Sequence, residues 1–326
     1  MTVLRLTLPA FLILALFTMS LSARAQQARL YRVGVLLLGD PHSSTMDGLR
    51  DGLKELGLEE AKQFVFDVRD GKGDLRSVEA AARNLEAAKV DVIVAMSTSI
   101  TLAAKRATQS VPIVFYAGTD PVSTGLVESL PRPGGRLTGT HSQSSALTAK
   151  RLELLKQMVP WLRRVVTFYR PDSPAGQQAA KIARGAARQL KLELVERKVT
   201  SVEELRVSLR ALQPREADAL LYIADTMVNS QAALIIATAR EKRLPTMFSS
   251  KENVAKGALA GYGESYYAIG RLCARYVQRV LLGADPADLP VEQADSFHFV
   301  INLQTAKALG LTIPQSLLAR ADEVIE

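Results

Sequence analysis

Strands that are apolar throughout alternate along this chain with amphipathic helices. The clearest case runs from Val90 to Val127. There Val92-Ile-Val-Ala-Met96 opens directly into Ser97-Thr98-Ser99, a helix pattern follows, and a second apolar strand, Ile113-Val-Phe-Tyr116, ends in Gly118-Thr119-Asp120-Pro121. A strand without polar alternation is buried on both faces, the condition of a parallel sheet covered by helices. Tyr31–Leu38 has the same character and Phe64–Val68 is the next strand, with helix patterns over Met46–Leu56 and Ser77–Lys89. The order βαβαβαβ implies right-handed crossovers on a parallel sheet. Ligands of such sheets sit outside the carboxyl ends of the strands. A helix start there, with free N–H groups and the positive end of the dipole, suits an anion. The Val90–Val127 stretch is therefore expected to build one wall of a small-molecule cleft.

The pattern then repeats. Pro131-Arg-Pro-Gly-Gly135 is dense turn chemistry, and Leu137–His141 leaves it as a short extended piece. A helix over Ala146–Met158 leads into strands at Arg164–Tyr169, Leu192–Lys198, Ala219–Ile223, Pro245–Phe248 and Leu259–Gly263, with helix patterns between them. Ser201 with Glu204 reads as a capping box. Glu264–Leu282 closes the series as a strongly amphipathic helix. Two α/β lobes in tandem are the natural reading for 326 residues.

The net charge of +8 raises nucleic acid as a partner, but Lys and Arg are interleaved with Asp and Glu over many helices, so a solvated surface is expected and no nucleic-acid partner. The single cysteine, Cys273, lies in a helix pattern and is read as a buried, inert thiol. At the N-terminus, Arg5, the apolar run Leu8–Met19 and Ser20-Leu-Ser-Ala23-Arg24-Ala25 form a secretory signal peptide cleaved after Ala25. Loss of Arg5 and Arg24 lowers the net charge by two, to +6. The mature protein is expected in the periplasm. No His-based metal spacing, nucleophile elbow, phosphate loop or dinucleotide fingerprint is present. With two lobes and a leader, these absences favour a binder over a catalyst, with no cofactor and no metal.

Residues across the mature chain then carry a resemblance. Asp51-Gly-Leu-Lys-Glu-Leu-Gly57, Val111-Pro-Ile-Val-Phe115, Asp120-Pro-Val122, Gly125-Leu-Val127, Arg132-Pro-Gly-Gly135 and Val300–Pro314 resemble the ABC-transporter substrate-binding proteins that include tryptophan- and phenylalanine-binding components. The resemblance implies an α/β fold of the type I periplasmic-binding-protein architecture: two Rossmann-like lobes with parallel sheets and a ligand cleft between them. It places lobe 1 at 30–141 plus 264–290 and lobe 2 at 142–263 plus 291–326. It implies a monomeric receptor that binds a small amino acid-like solute, closes around it, and delivers it to a membrane permease with its ATPase. A ligand sensor for a signalling receptor and an exported α/β enzyme are the alternatives. One departure is plain: where the family commonly carries a Gly-Thr-Pro-Ala-like turn, this chain has Ser97-Thr98-Ser99-Ile100.

Candidate ligand contacts follow from strand ends. Ser97, Thr98 and Ser99 can donate to a ligand carboxylate or cap the helix, and one can do each. Asp225 is the candidate partner for a ligand ammonium, or an N-cap. Asp120, before Pro121, is either a ligand contact or a structural turn. Tyr116, Tyr169 and Tyr262 can offer aromatic faces or fill the core. Arg170 can pair with an acidic ligand or bridge the lobes. Tyr266 and Tyr267 are expected to pack the hinge-side helix.

Overall fold

The computed structural model describes residues 29–39, 43–213, 215–294 and 297–326. The expected leader lies outside the described residues. The first sheet is built from β1 (Tyr31–Leu37), α1 (Ser43–Glu55), β2 (Phe64–Asp70), α2 (Leu75–Ala87), β3 (Val92–Ala95), α3 (Thr98–Ala107), β4 (Ile113–Ala117) and β5 (Leu137–His141). Side chains start these helices where the sequence offers them: Asp74 caps α2 and Ser97 caps α3. Gly57, after α1, takes a positive φ of +83°, the left-handed cap position that glycine occupies at no steric cost.

The chain then crosses to a second sheet. It comprises α4 (Thr148–Met158), β6 (Arg164–Tyr169), α5 (Pro174–Gln189), β7 (Glu193–Lys198), α6 (Val202–Ala211), β8 (Ala219–Leu221), α7 (Thr226–Asn229), α8 (Ala232–Glu241), β9 (Thr246–Phe248), α9 (Lys251–Ala255) and β10 (Ala260–Glu264). Ser201 accepts from Glu204 N at 3.2 Å, but the Glu204 carboxylate turns to Thr200 N and Oγ1, both at 2.7 Å. The box expected from Ser201 and Glu204 is thus displaced by one residue on its return arm.

From β10 the chain returns to the first lobe for α10 (Tyr266–Leu281) and β11 (Glu292–Gln293), then finishes in the second with β12 (Phe297–Asn302), α11 (Leu303–Ala308), α12 (Gln315–Leu318) and β13 (Glu323–Ile325). The first sheet has the order β11-β5-β4-β3-β1-β2 and is parallel throughout. The second has the order β13-β12-β10-β9-β8-β6-β7. It departs from the all-parallel expectation at one place: β12 runs antiparallel to β10, with Glu264 opposite Phe297. The reason is topological. β10 ends where the lobes meet, and β12 begins there, so β12 can only run away from that edge.

Each sheet is covered on both faces. In lobe 1, Val33, Val35, Val92 and Val94 pack with Leu49, Leu53 and the apolar stripe of α10. On the other face Ile93, Ala95, Ile113 and Phe115 pack with α2 and α3. Lobe 2 repeats this around Val165, Leu221 and Met247 on one face and Val166, Leu220 and Phe248 on the other. Full burial of each such side chain contributes about 1.5–3 kcal/mol. Cys273 is fully buried in α10, and burial pushes its thiol up to about 12, which keeps it protonated and unreactive.

Candidate functional site

The carboxyl ends of β3 and β4 face those of β6 and β8 across the gap between the lobes. A cleft lies between them. Its first wall carries Met96, Ser97, Thr98, Tyr116 and Gly118; its second carries Ala175, Tyr222, Ala224, Asp225 and Asn229; Ser144 and Tyr266 close its hinge side. It encloses about 50 Å³ reachable by the centre of a water molecule, room for only a few waters. Other hollows, such as one of about 330 Å³ beside Arg240 and Arg243, lie away from these strand ends.

The first wall is a helix start. Ser97 is extended, and its Oγ accepts from Ile100 N at 3.2 Å, while its hydroxyl hydrogen stays available. Thr98 Oγ1 pairs with Thr119 Oγ1 at 3.0 Å. Thr98 N and Ser99 N, at the first two positions of α3, have no helical carbonyl to bond, so the wall presents donors and a positive dipole end. The second wall is negative. Asp225 is 1% exposed and caps α7, with Oδ1 accepting from Val228 N at 3.0 Å and Oδ2 from Arg170 N at 2.9 Å. Burial raises its pKa above the ordinary carboxylate value of 3.8, against the pull of those two N–H groups. The Ser173 side chain adds a further hydrogen bond to it, which leaves acceptor capacity for one more donor. Asp225 thus caps and still faces the cleft.

Three tyrosines complete the cleft, and each hydroxyl is tied back into the protein. Tyr116 Oη bonds Ser142 Oγ at 2.9 Å. Tyr222 Oη accepts from Asp225 N at 3.3 Å, and its ring stacks on Phe248 with centroids 5.5 Å apart and planes 5° from parallel. Tyr266 Oη accepts from Asn229 Nδ2 at 3.1 Å, a bond from one lobe to the other. Burial holds the Tyr116 and Tyr222 hydroxyls well above the usual phenol range, so both stay neutral.

The structure brings Ser97, Thr98, Tyr116 and Asp225 together at this cleft. The other candidates lie elsewhere. Ser99 is half-buried on the next position of α3. Asp120 is exposed, and its Oδ1 accepts from Val122 N at 2.9 Å as a turn brace. Tyr169 and Tyr262 fall on the core side of their strands: Tyr169 donates to Glu196 at 2.7 Å, and Tyr262 packs against Phe297 and Phe299. Arg170 pairs with Asp172, Nε to Oδ1 at 2.9 Å, and offers the cleft only its backbone N–H to Asp225. Tyr222 and Asn229 are absent from the sequence-derived set, as is Tyr266, which the sequence places only in the packing of the hinge-side helix. The strand-end rule that selected Asp225 also applies to Tyr222, three residues earlier. Nothing local marks Asn229, whose approach to Tyr266 depends on how the lobes sit.

They sit closely. Ser44 Oγ of lobe 1 donates to Glu252 Oε1 of lobe 2 at 2.7 Å. A Cβ at Gly73 would lie 2.7 Å from Val202 Cγ2, and one at Gly39 would lie 3.0 Å from Ser230 Cβ.

A family model described as "ABC transporter substrate binding protein" matches residues 32–325. The chain belongs to that family. This substrate-binding protein is 29% identical over 264 residues to a "Tyrosine-binding protein" of Clostridioides difficile (strain R20291), covering 81% of this chain and 76% of the relative. It superposes on a domain solved "in complex with L-Trp" from Streptococcus pneumonia with a TM-score of 0.81 at 26% identity, covering 91% of this chain and all (100%) of that one. Against a "ligand-free, open" substrate-binding protein "with adhesive properties" from Clostridium difficile the TM-score is 0.59, at 24% identity and a coverage of 91% and 99%. In the substrate-binding protein described here the two lobes touch beside a tight cleft. The fold is the type I periplasmic-binding-protein fold.

Proposed function

We propose that this protein is an exported receptor of an ABC importer that binds an aromatic amino acid between its lobes and hands it to a membrane permease. The observation that carries the reading is the polarity of the cleft: helix-start donors at Ser97 and Thr98 on one wall, the Asp225 carboxylate on the other, and tethered aromatic rings between. A zwitterion with a flat side chain matches all three. The ligands named for two relatives, tyrosine and tryptophan, support the same class. Lobe 1 (30–141 with 264–290) and lobe 2 (142–263 with 291–326) act as bodies hinged at the crossovers, and the closed form docks as a monomer on the permease. Hydrogen bonds from both walls are complete only when closed, so ligand shifts the population toward that state. The signal peptide over 1–25 directs export to the periplasm. No helix among the described residues is long and apolar enough to cross a membrane.

Isothermal titration of the mature protein with L-tyrosine, L-tryptophan, L-phenylalanine, aliphatic amino acids and sugars tests this. Saturable binding confined to aromatic amino acids is expected, and at 100 times the dissociation constant the ligand adds about 2.7 kcal/mol of stability. Preference for a sugar or an uncharged solute overturns the amino acid reading.

A further inference from the structure

Arg151 is fully buried, yet no ion pair among the described residues includes it. Its guanidinium meets dipoles instead. Nε donates to Tyr262 O at 2.6 Å, Nη1 to Ser144 O at 3.0 Å and Nη2 to Ser144 Oγ at 3.2 Å. A Cβ at Gly263 would lie 3.0 Å from Nη2, so β10 passes close against the guanidinium and fixes its place. A buried cation that meets dipoles but no anion leaves part of its desolvation cost unmatched.

Ser144 brings that charge to the cleft. It lines the hinge side of the cleft next to Gly118, where a Cβ would lie 3.7 Å from Ser144 Cβ. Ser144 Oγ accepts from Nη2, so its own hydrogen is left to donate, and no acceptor among the described residues takes it. A hydroxyl that accepts from a cation becomes a stronger donor, because each hydrogen bond polarises the next in a site of low dielectric. Asp225 lies on the second wall, so the cleft has a positive pole at its hinge side and a negative pole on that wall. The Tyr222 hydroxyl senses both. Burial raises its pKa most, the Tyr266 and Asp225 charges raise it further, and Arg151 lowers it.

We propose that Ser144, backed by the Arg151 guanidinium, donates to the carboxylate of the cleft solute and so sets which way round the solute lies, with its ammonium group at Asp225. The start of α3 and Ser144 each meet one oxygen of that carboxylate. Arg151 acts through Ser144 and is a positioning residue. The ammonium end rests on the amino acid reading; the Ser144 end needs only a carboxylate.

Calorimetry on the full mature chain compares L-tyrosine and L-tryptophan with two kinds of analogue: tyramine and tryptamine, which lack the carboxylate, and the propionates that lack the amino group. The proteins are wild type, Ser144→Ala, Arg151→Met and Arg151→Lys. Ser144→Ala is expected to weaken the amino acids and the propionates about tenfold to a hundredfold and the amines by less than about threefold. Arg151→Met should show the same selective loss, and Arg151→Lys, which keeps the charge, should recover part of it. A merely structural role weakens every ligand alike, so equal losses overturn the proposal, as does unchanged binding of the carboxylates by Ser144→Ala. If wild type binds the propionates but no amino acid, the amino acid reading fails and the propionates still decide this one. If wild type binds no carboxylate of either kind, the proposal is overturned as well. Should Arg151→Met not fold, Ser144→Ala, which removes a single hydroxyl, supplies the readout.

Discussion

Asp225 joins two roles that compete in most carboxylates. It caps α7 and sits in the cleft wall at 1% exposure, and burial raises its pKa from 3.8. The folded protein therefore binds that proton more tightly than the unfolded chain. Its contribution to stability is greatest below pH 3.8 and falls as pH rises through the folded value. Asp225→Asn keeps an acceptor for Val228 N and cannot titrate, so melts from pH 3.5 upward are expected to show wild type losing ground to the variant over that window. Tyr222 is the second decisive residue. Tyr222→Phe keeps the stack on Phe248 and gives up the long contacts to the Asp225 backbone, so solute affinity is expected to change by only a few-fold. Tyr222→Ala removes the wall itself. It should cost about 3–5 kcal/mol of stability, and titration should show at least about tenfold weaker binding.

At the scale of elements, α1 and α10 approach closely because glycines face each other. A Cβ at Gly48 would lie 2.0 Å from Tyr267 O, and one at Gly270 would lie 2.1 Å from Thr45 O. Glycine costs a helix about 1 kcal/mol relative to alanine, but the contact here outweighs propensity. Gly270→Ala is expected to lower stability by about 1–3 kcal/mol or more in urea melts, where an exposed helical glycine would gain from the same change. Another junction is ionic. Glu86 at the end of α2 accepts from Gln109 N, Ser110 N and Val111 N, at 2.9, 2.8 and 3.1 Å, and so holds the lead-in to β4. Partial burial pushes its pKa up, but these donors together outweigh it and lower the value to about 2. Its stabilisation is present above pH 4.5 and lost as pH falls toward about 2. Glu86→Gln should therefore be less stable than wild type at pH 6, with the gap closing across that acid window. A third junction joins the crossovers. Fully buried Arg151 donates from Nε to Tyr262 O at 2.6 Å and from Nη1 to Ser144 O at 3.0 Å, tying the first passage between the lobes to the strand that ends at the second.

For the whole molecule, a receptor that closes on its solute is governed by the angle between its lobes. The lobes come together at the rim through small residues, with Gly73 against Val202 and Gly39 against Ser230. Gly73 also takes a φ of +95°, which a larger residue adopts only with strain. Gly73→Val is expected to leave each lobe folded, prop the cleft open and weaken the solute several-fold. Small-angle scattering checks this directly: wild type should contract on adding ligand, and the variant should contract less. A ligand acts on this equilibrium only through its preference for the closed form, so the loss in affinity and the loss in contraction should track each other.

What the chain's residues settle alone is whatever depends on near neighbours. Uninterrupted apolar runs such as Val92–Met96 specify buried parallel strands, because the side-chain period of a strand leaves no polar face to expose. Ser97, Ser201 and Asp225 specify helix starts, because a cap needs only an acceptor within three residues. The cleft's first wall and Asp225 were therefore legible before any coordinates. Tyr169 and Tyr262 were not separable from Tyr116 by strand position, since which face of a strand meets the cleft and which the core is decided by the layers packed on it. Asn229 meeting Tyr266, Ser44 meeting Glu252 and the reversed direction of β12 join segments distant in the chain. Contacts of that kind depend on the return of the chain between lobes, and only the tertiary structure brings them into being.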